Sequence, residues 1–179
     1  NGESIDGATE ETFTLAQSEV GKEITVGVSY TDAYGEPESL LSNSTYIVTN
    51  INDIPSGTLI IEGVLEQHQT LTASTSSIDD EDGLGDFSYQ WFADGQVISG
   101  ATSSTFMLTQ NEVDKKIKVE VIYTDEQDTA ETITSDETVQ IANVDDTPTG
   151  QPIIEGTVNG TATQNDTLTV NTNSIADED

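Results

Sequence analysis

Residues 7–63 of this chain recur without a gap as residues 100–156, so GATEETFTLAQSEVGKEITVGVSYTD and GATSSTFMLTQNEVDKKIKVEVIYTD are two copies of one unit. Close to half of the aligned positions are identical, and they fall on alternating apolar residues, turn glycines and acidic loop residues. An offset of 93 residues is too long for one turn of a solenoid and suits one β-sandwich per repeat. The chain therefore reads as a piece of a tandem array, a segment beginning at Asn1 with no signal sequence of its own.

Within a copy the apolar residues alternate with period two: Phe87, Tyr89 and Trp91; Phe106 and Leu108; Ile117, Val119, Val121 and Tyr123; then Val139 and Ile141. Alternation of this kind marks the buried face of a strand, and no segment keeps a helical apolar period over three turns. The separators DGLGD, ADG, SGATSS and DEQD are turn chemistry. An all-β chain of immunoglobulin-like antiparallel β-sandwich repeats is expected, one complete and two partial. Its strands fall near 58–63 (A), 69–76 (B), 87–92 (C), 96–98 (C'), 105–109 (E), 116–124 (F) and 130–142 (G). Trp91 is the sole tryptophan and would fill the core from strand C, with no disulfide beside it because the chain has no cysteine. Met107 falls out of the buried phase and is expected at a surface or edge.

The polar stretches at 50–57 (NINDIPSG) and 143–150 (NVDDTPTG) carry proline and favour extended backbone, so they serve as junctions. Domain bounds follow: 1–53 as the C-terminal half of a repeat (strands E-F-G), 54–146 as a complete sandwich, and 147–179 as the N-terminal half of the next (strands A-B). A rival register makes 1–82 and 94–179 two blocks that both end in Asp-Glu-Asp, but it leaves FSYQWF as a linker. Burying a large aromatic side chain contributes roughly 1.5 to 3 kcal/mol or more, which favours the first register. The two halves lack partners for their strands, so head-to-tail self-association is expected.

Charge narrows the partners. Against 34 acidic residues stand four lysines and no arginine, a formal net charge of -30. Such a polyanion cannot neutralise phosphates, so nucleic acid, anionic membranes and acidic substrates are poor partners, no nucleic acid partner or membrane insertion is expected, and cations are favoured. Without cysteine, thiol catalysis and zinc-thiolate sites are excluded too.

In an immunoglobulin-like topology the start of strand A, the B-C loop and the F-G loop meet at one pole. Here they bring Asn50, Asn52 and Asp53 to Asp79, Asp80, Glu81, Asp82 and Asp86, and to Asp125 and Asp128. The next copy repeats the pattern with Asn143, Asp145, Asp146, Asp177, Glu178 and Asp179, while Ala176 stands where Asp79 was. Calcium takes six to eight oxygen ligands from such loops. Neighbouring carboxylates repel by roughly 1 kcal/mol per pair even in water, and a divalent cation reverses the sign. The bland alternative is a solvated acidic surface. Asp80-Asp82-Gly83 is not an EF-hand, since Ile78 and Tyr89 stand at its first and last ligand positions.

Other candidates carry less. His68 is the only histidine and reads as an exposed spacer near a turn, so triads fail and no enzyme is expected. Lys22 and Lys115 recur beside the E-F turn as surface residues. The Asn-x-Thr triplets at Asn43, Asn159 and Asn165 matter only where glycosylation occurs.

With GLGDFSYQWFADGQVISGATSSTFMLTQNEVDKKIKVEVIYTD and the NVDD linker assembled, the repeat resembles those of giant secreted adhesins of marine Gram-negative bacteria, the repeats-in-toxin and biofilm-associated large adhesion proteins. That resemblance implies a secreted, cell-surface extender whose immunoglobulin-like domains hold a distal binding domain away from the cell, stiffened by interdomain calcium. It implies Asn52, Asp53, Asp80, Asp82 and Asp125 as junction ligands. The substitution of Gly21 by Asp114 leaves the E-F turn open. A module that binds sugar or protein through a loop face is the alternative, with Tyr34 and Phe92 its only aromatic candidates.

Overall fold

A computed structural model describes residues 2–157 and 159–179. Among them the chain is nearly all β, and every sheet whose pairing is defined is antiparallel. No helix is long and apolar enough to cross a membrane.

Strands β1 (Gly27–Thr31) and β2 (Pro37–Leu41) form one hairpin, with Ser29 opposite Ser39. Three strands form the sheet β3-β4-β7: β3 (Ile60–Glu62), β4 (Thr70–Ser74) and β7 (Thr105–Met107), with Ile61 opposite Ala73 and Leu71 opposite Phe106. A second sheet runs β6-β5-β8-β9, from β5 (Ser88–Ala93), β6 (Gln96–Val97), β8 (Ile117–Thr124) and β9 (Ala130–Thr134). The hairpin of β10 (Ile153–Glu155) and β11 (Thr169–Asn171) repeats the register of β3 and β4, with Ile154 opposite Val170.

The chain packs as two compact units. One comprises the segment up to Gly57 with Ile78–Phe87 and Ile122–Glu131; the other comprises Thr58–Ser77, Ser88–Val121 and Thr132–Asp179. The second unit holds the main core: Leu71, Trp91, Leu108, Ile117, Val119, Val121 and Ile141 are all buried. Trp91 on β5 stacks on Phe106 of β7, with ring centroids 5.7 Å apart, so the core draws on both larger sheets. Its indole N–H donates to the Ser103 carbonyl at 2.8 Å, which satisfies the one polar atom that burial would strand. Met107 points outward and is exposed. Phe92 is half-buried beneath Lys118, whose Nζ lies 5.0 Å from the ring centroid.

One expectation fails at strand G. Alternation put Val139 in the core beside Ile141, yet Val139 is 70% exposed and β9 ends at Thr134. The hydrogen bonds supply the reason. Ser135, Thr138 and Ile141 donate their amides to the carbonyls of Val119, Ile117 and Lys115, so one side advances three residues for every two on β8. Each step holds an extra residue, as in a β-bulge, and the period-two phase is lost. The hydroxyls of Ser135 and Thr138 accept from the amides of Val119 and Ile117 where carbonyls would otherwise stand.

The first copy keeps the same skeleton. Ser42, Thr45 and Val48 donate to the carbonyls of Val26, Ile24 and Lys22, and the hydroxyls of Ser42 and Thr45 accept from Val26 and Ile24. The corner before strand F is a 3-10 turn in both copies, Gln17–Glu19 and Gln110–Glu112. In each a buried glutamate folds back on the chain: Glu112 accepts from the Thr109 amide at 2.9 Å, and Glu19 from the Ala16 amide at 3.0 Å. Gly21 and Asp114 both occupy the left-handed region, at φ 77° and 61°, so the substitution preserves the turn.

Candidate functional site

The first junction is built from three segments of one unit. Gly85 lets the DGLGD loop close on the end of β8: a Cβ there would lie 1.9 Å from the Thr124 carbonyl oxygen. Gly83, at φ 92°, leaves no room for a Cβ beside the Glu126 side chain. Held this way, the loop buries Asp80 and Asp82, and the turn after β8 buries Asp125.

Each buried carboxylate has a distinct task. Asp80 accepts from the Asp82 amide at 2.9 Å through Oδ1 and from the Tyr123 hydroxyl through Oδ2. Burial, then the hydrogen bond to Asp80 and the nearby Asp80, Glu131 and Asp125 charges, hold the Tyr123 phenol well above its ordinary range. Asp82 accepts from the Gln17 side-chain amide through Oδ1 and from the backbone amide of Asp53 through Oδ2, both at 2.7 Å. Its carboxylate thus ties the linker to the loop. Asp125 shapes the turn after β8 by accepting from the amides of Gln127 and Thr129 at 2.8 Å through Oδ1 alone. Asp32 shapes the matching turn in the first copy through the amides of Tyr34 and Glu36.

Two buried oxygens of this unit have no hydrogen-bond partner, Asp125 Oδ2 and Asn50 Oδ1. Buried polar atoms are nearly always satisfied, so an orphan carboxylate oxygen is an acceptor awaiting a donor or a cation. Among the described residues the one lysine ion pair is Lys116–Glu137, so lysine does not neutralise Asp80, Asp82 or Asp125.

The second junction lies wholly in the other unit and repeats the tie. Asp146 donates its backbone amide to Asp179 Oδ2 at 3.0 Å, as Asp53 does to Asp82, and Asn143 donates to Asp179 Oδ1 at 2.7 Å. Those two bonds, the Asn143 one first, hold the Asp179 carboxyl below its usual range. Next to each tie runs the same two-bond bridge, Ser56 with Asp79 and Thr149 with Ala176. The Asp146 side chain is held from the other direction: Oδ2 accepts from Gln67 at 2.9 Å and Oδ1 lies 3.3 Å from His68 Nε2. Gln67 is wholly buried and also accepts from the Val144 amide at 3.1 Å.

Of the residues singled out in the sequence, Asp80, Asp82 and Asp125 are each buried within one unit. Asn52 is exposed and donates to Glu131 at 2.8 Å, while Asp53 acts through its backbone. Glu81 and Asp145 are exposed, and Asp177 is reached only by the Asp179 amide at 3.5 Å. Among the described residues, no group of three or more histidine, cysteine, aspartate or glutamate side chains converges as a metal cage. Asn50 and Asp125 each offer an unpartnered oxygen of the donor type that calcium accepts. The sequence reading missed Gln17 and Gln67 as ties, although Gln17 recurs as Gln110 and Gln67 as Gln164. No family model, no curated protein and no solved structure matches this chain.

Proposed function

We propose that this chain is an extender segment of a secreted, cell-surface repeat protein, structural and not catalytic, in which immunoglobulin-like β-sandwiches are joined by ordered linkers and stiffened by calcium. One observation carries the reading: each linker is tied in the same way, Asp53 amide to Asp82 and Asp146 amide to Asp179, next to the same two-bond bridge. A flexible tether has no use for a carboxylate ligating its backbone twice over. The cross-sheet stack of Trp91 on Phe106 supports a two-sheet sandwich for the complete repeat.

Calcium enters through Asp125 Oδ2 and Asn50 Oδ1, the two buried oxygens without partners in the first junction. A divalent ion there would neutralise part of the charge of Asp125 and reduce the repulsion from the acidic loops around it. The same logic makes a chain of net charge -30 responsive to divalent cations as a whole, so the site must be separated from general screening.

Calorimetry with about 1 mM calcium, with matched ionic strength from sodium chloride, and with Asp125→Asn makes that separation. Calcium is expected to raise the melting temperature and lengthen the particle in small-angle scattering, and Asp125→Asn is expected to remove both effects. An unchanged melt, or one that sodium chloride reproduces, would overturn the calcium part. A scattering profile of freely jointed domains with calcium bound would overturn the extender part.

A further inference from the structure

Strand β7 is the outer strand of the β3-β4-β7 sheet. Ala73 donates its amide to the Ser104 carbonyl and Leu108 donates to the Gln69 carbonyl, both at 2.8 Å, with Leu71 opposite Phe106 between them. Residues 104, 106 and 108 therefore bond to β4, and the N–H and C=O groups of Thr105 and Met107 face the open side. An edge of this kind invites another strand, and charged side chains are a common guard against it. The first copy has that guard: Glu10 and Glu11 stand where the complete repeat has Ser103 and Ser104, and Thr14 stands where it has Met107. Two charges are gone, and an apolar side chain that is 60% exposed has joined the edge. Residues 95–111 are in fact the longest run without a charged side chain in a chain of net charge -30. Beside β7 lies a groove of about 290 Å³, lined by Ile98, Ala101, Phe106 and Met107 among others, where an added strand would lie.

We propose that β7 of one copy pairs edge to edge with β7 of a second copy of this chain, antiparallel, with the two Phe106 residues opposite each other. In that register Thr105 of each copy exchanges a pair of main-chain hydrogen bonds with Met107 of the other, and the two three-stranded sheets become one continuous sheet. Charge selects the occupant. A second copy is repelled by the acids elsewhere on this chain, whereas an uncharged strip laid on the same strip sets no like charges opposite one another. A basic partner would be better served by Glu10 and Glu11 of the first copy, the acids that the complete repeat lacks at this edge. Met107 of each copy lies across from Thr105 of the other, so pairing covers both exposed side chains. The contact uses the same patch on both sides, so it is isologous and closes at two copies. The net charge of -30 on each copy opposes the approach, so association should strengthen as salt screens it. Strand, edge and groove all belong to the complete repeat, and the inference rests neither on calcium nor on the extender reading.

Sedimentation of the parent chain should show mass rising from one chain to two between about 10 µM and 1 mM, more steeply at high salt. The Ser103→Glu/Ser104→Glu variant restores the acids of the first copy and should weaken association by roughly tenfold or more. Met107→Pro removes an amide that faces the open side and leaves the bonds of residues 104, 106 and 108 to β4 in place, so it should weaken association by at least as much. Fluorescence of Trp91, which stacks on Phe106, confirms that each variant keeps the complete repeat folded. The register has its own test, since the chain has no cysteine. Bonded antiparallel pairs hold their Cα atoms about 5.5 Å apart, within disulfide range. Thr105→Cys and Met107→Cys chains, mixed and oxidised, should therefore give the mixed covalent dimer in large excess over either homodimer. A monomer across the whole range, an association indifferent to Ser103→Glu/Ser104→Glu in folded protein, or homodimers as abundant as mixed dimers would each overturn the proposal.

Discussion

Asp82→Ala is the sharpest perturbation of the junction because it removes one carboxylate that serves two donors. The side chain is buried, and its bonds to the Asp53 amide and the Gln17 amide are both 2.7 Å, the short distance of a charge-assisted bond. Such bonds contribute about 1.5 to 3 kcal/mol net; Asp53 is itself exposed and regains water, so about 2 kcal/mol is the expected loss at the linker. Converted at 1.4 kcal/mol per decade, that is roughly a 30-fold fall in hydrogen-exchange protection of the Asp53 amide. Asp82→Asn offers one acceptor to two donors and should lose roughly tenfold. The matching bond in the second junction runs 3.0 Å to an exposed carboxylate, so Asp179→Ala should cost the Asp146 amide only about two- to fivefold. Amide exchange read by NMR, with Trp91 fluorescence as the folding control, measures all three. Asp53 protection within twofold of the parent in folded Asp82→Ala would refute the reasoning.

Four further predictions concern the surrounding scaffold. Gly85→Ala places a Cβ 1.9 Å from the Thr124 carbonyl oxygen, where carbon normally stays beyond about 3.3 Å, so it should cost about 3 kcal/mol or more in urea denaturation. Gly95→Ala, with open space around it but φ +74°, should cost only about 1 kcal/mol. The Tyr123 phenol is held above its unfolded value near 10, so the neutral form stabilises the fold below about pH 10 and that contribution is lost as pH rises further. Ultraviolet titration should find one tyrosine that ionises only as the fold opens, and Tyr123→Phe should delete that step. Asp114→Gly relieves a left-handed backbone that Gly21 already occupies in the first copy, and should raise the melting temperature by about 4 °C.

How much of this was legible in the sequence depends on whether side chains or backbone carry each feature. The buried faces of β5 and β8 follow from period-two alternation, and Ile117, Val119, Val121 and Tyr123 are buried as that pattern requires. Strand G was misread because the advance of three residues per two on β8 is invisible to a pattern that assumes an unbroken ladder; Val139 is apolar and exposed as a result. At the junction, counting oxygens led to Asp80, Asp82 and Asp125, whose burial needs Gly83 and Gly85 as much as the acids themselves. The decisive contact, however, uses the Asp53 amide, and every non-proline residue has one. No composition argument could select it. Gln17 and Gln67 were within reach, since recurrence across copies at a polar position is a signal even where the side chain has no chemistry of its own.

The hydroxyl-bonded steps after β9 have a consequence for a chain built of near-copies. Neighbouring repeats sit at millimolar effective concentration, and similar sequences invite strands of one to pair with those of the next. The β6-β5-β8-β9 sheet ends at β9, and beyond it Ser135 and Thr138 turn their hydroxyls into the ladder while the backbone advances out of step. A foreign strand arriving there meets donors and acceptors at the wrong spacing and finds no template to copy. The irregularity that hid strand G from pattern reading thus makes the edge beyond β9 a poor template for a copied strand.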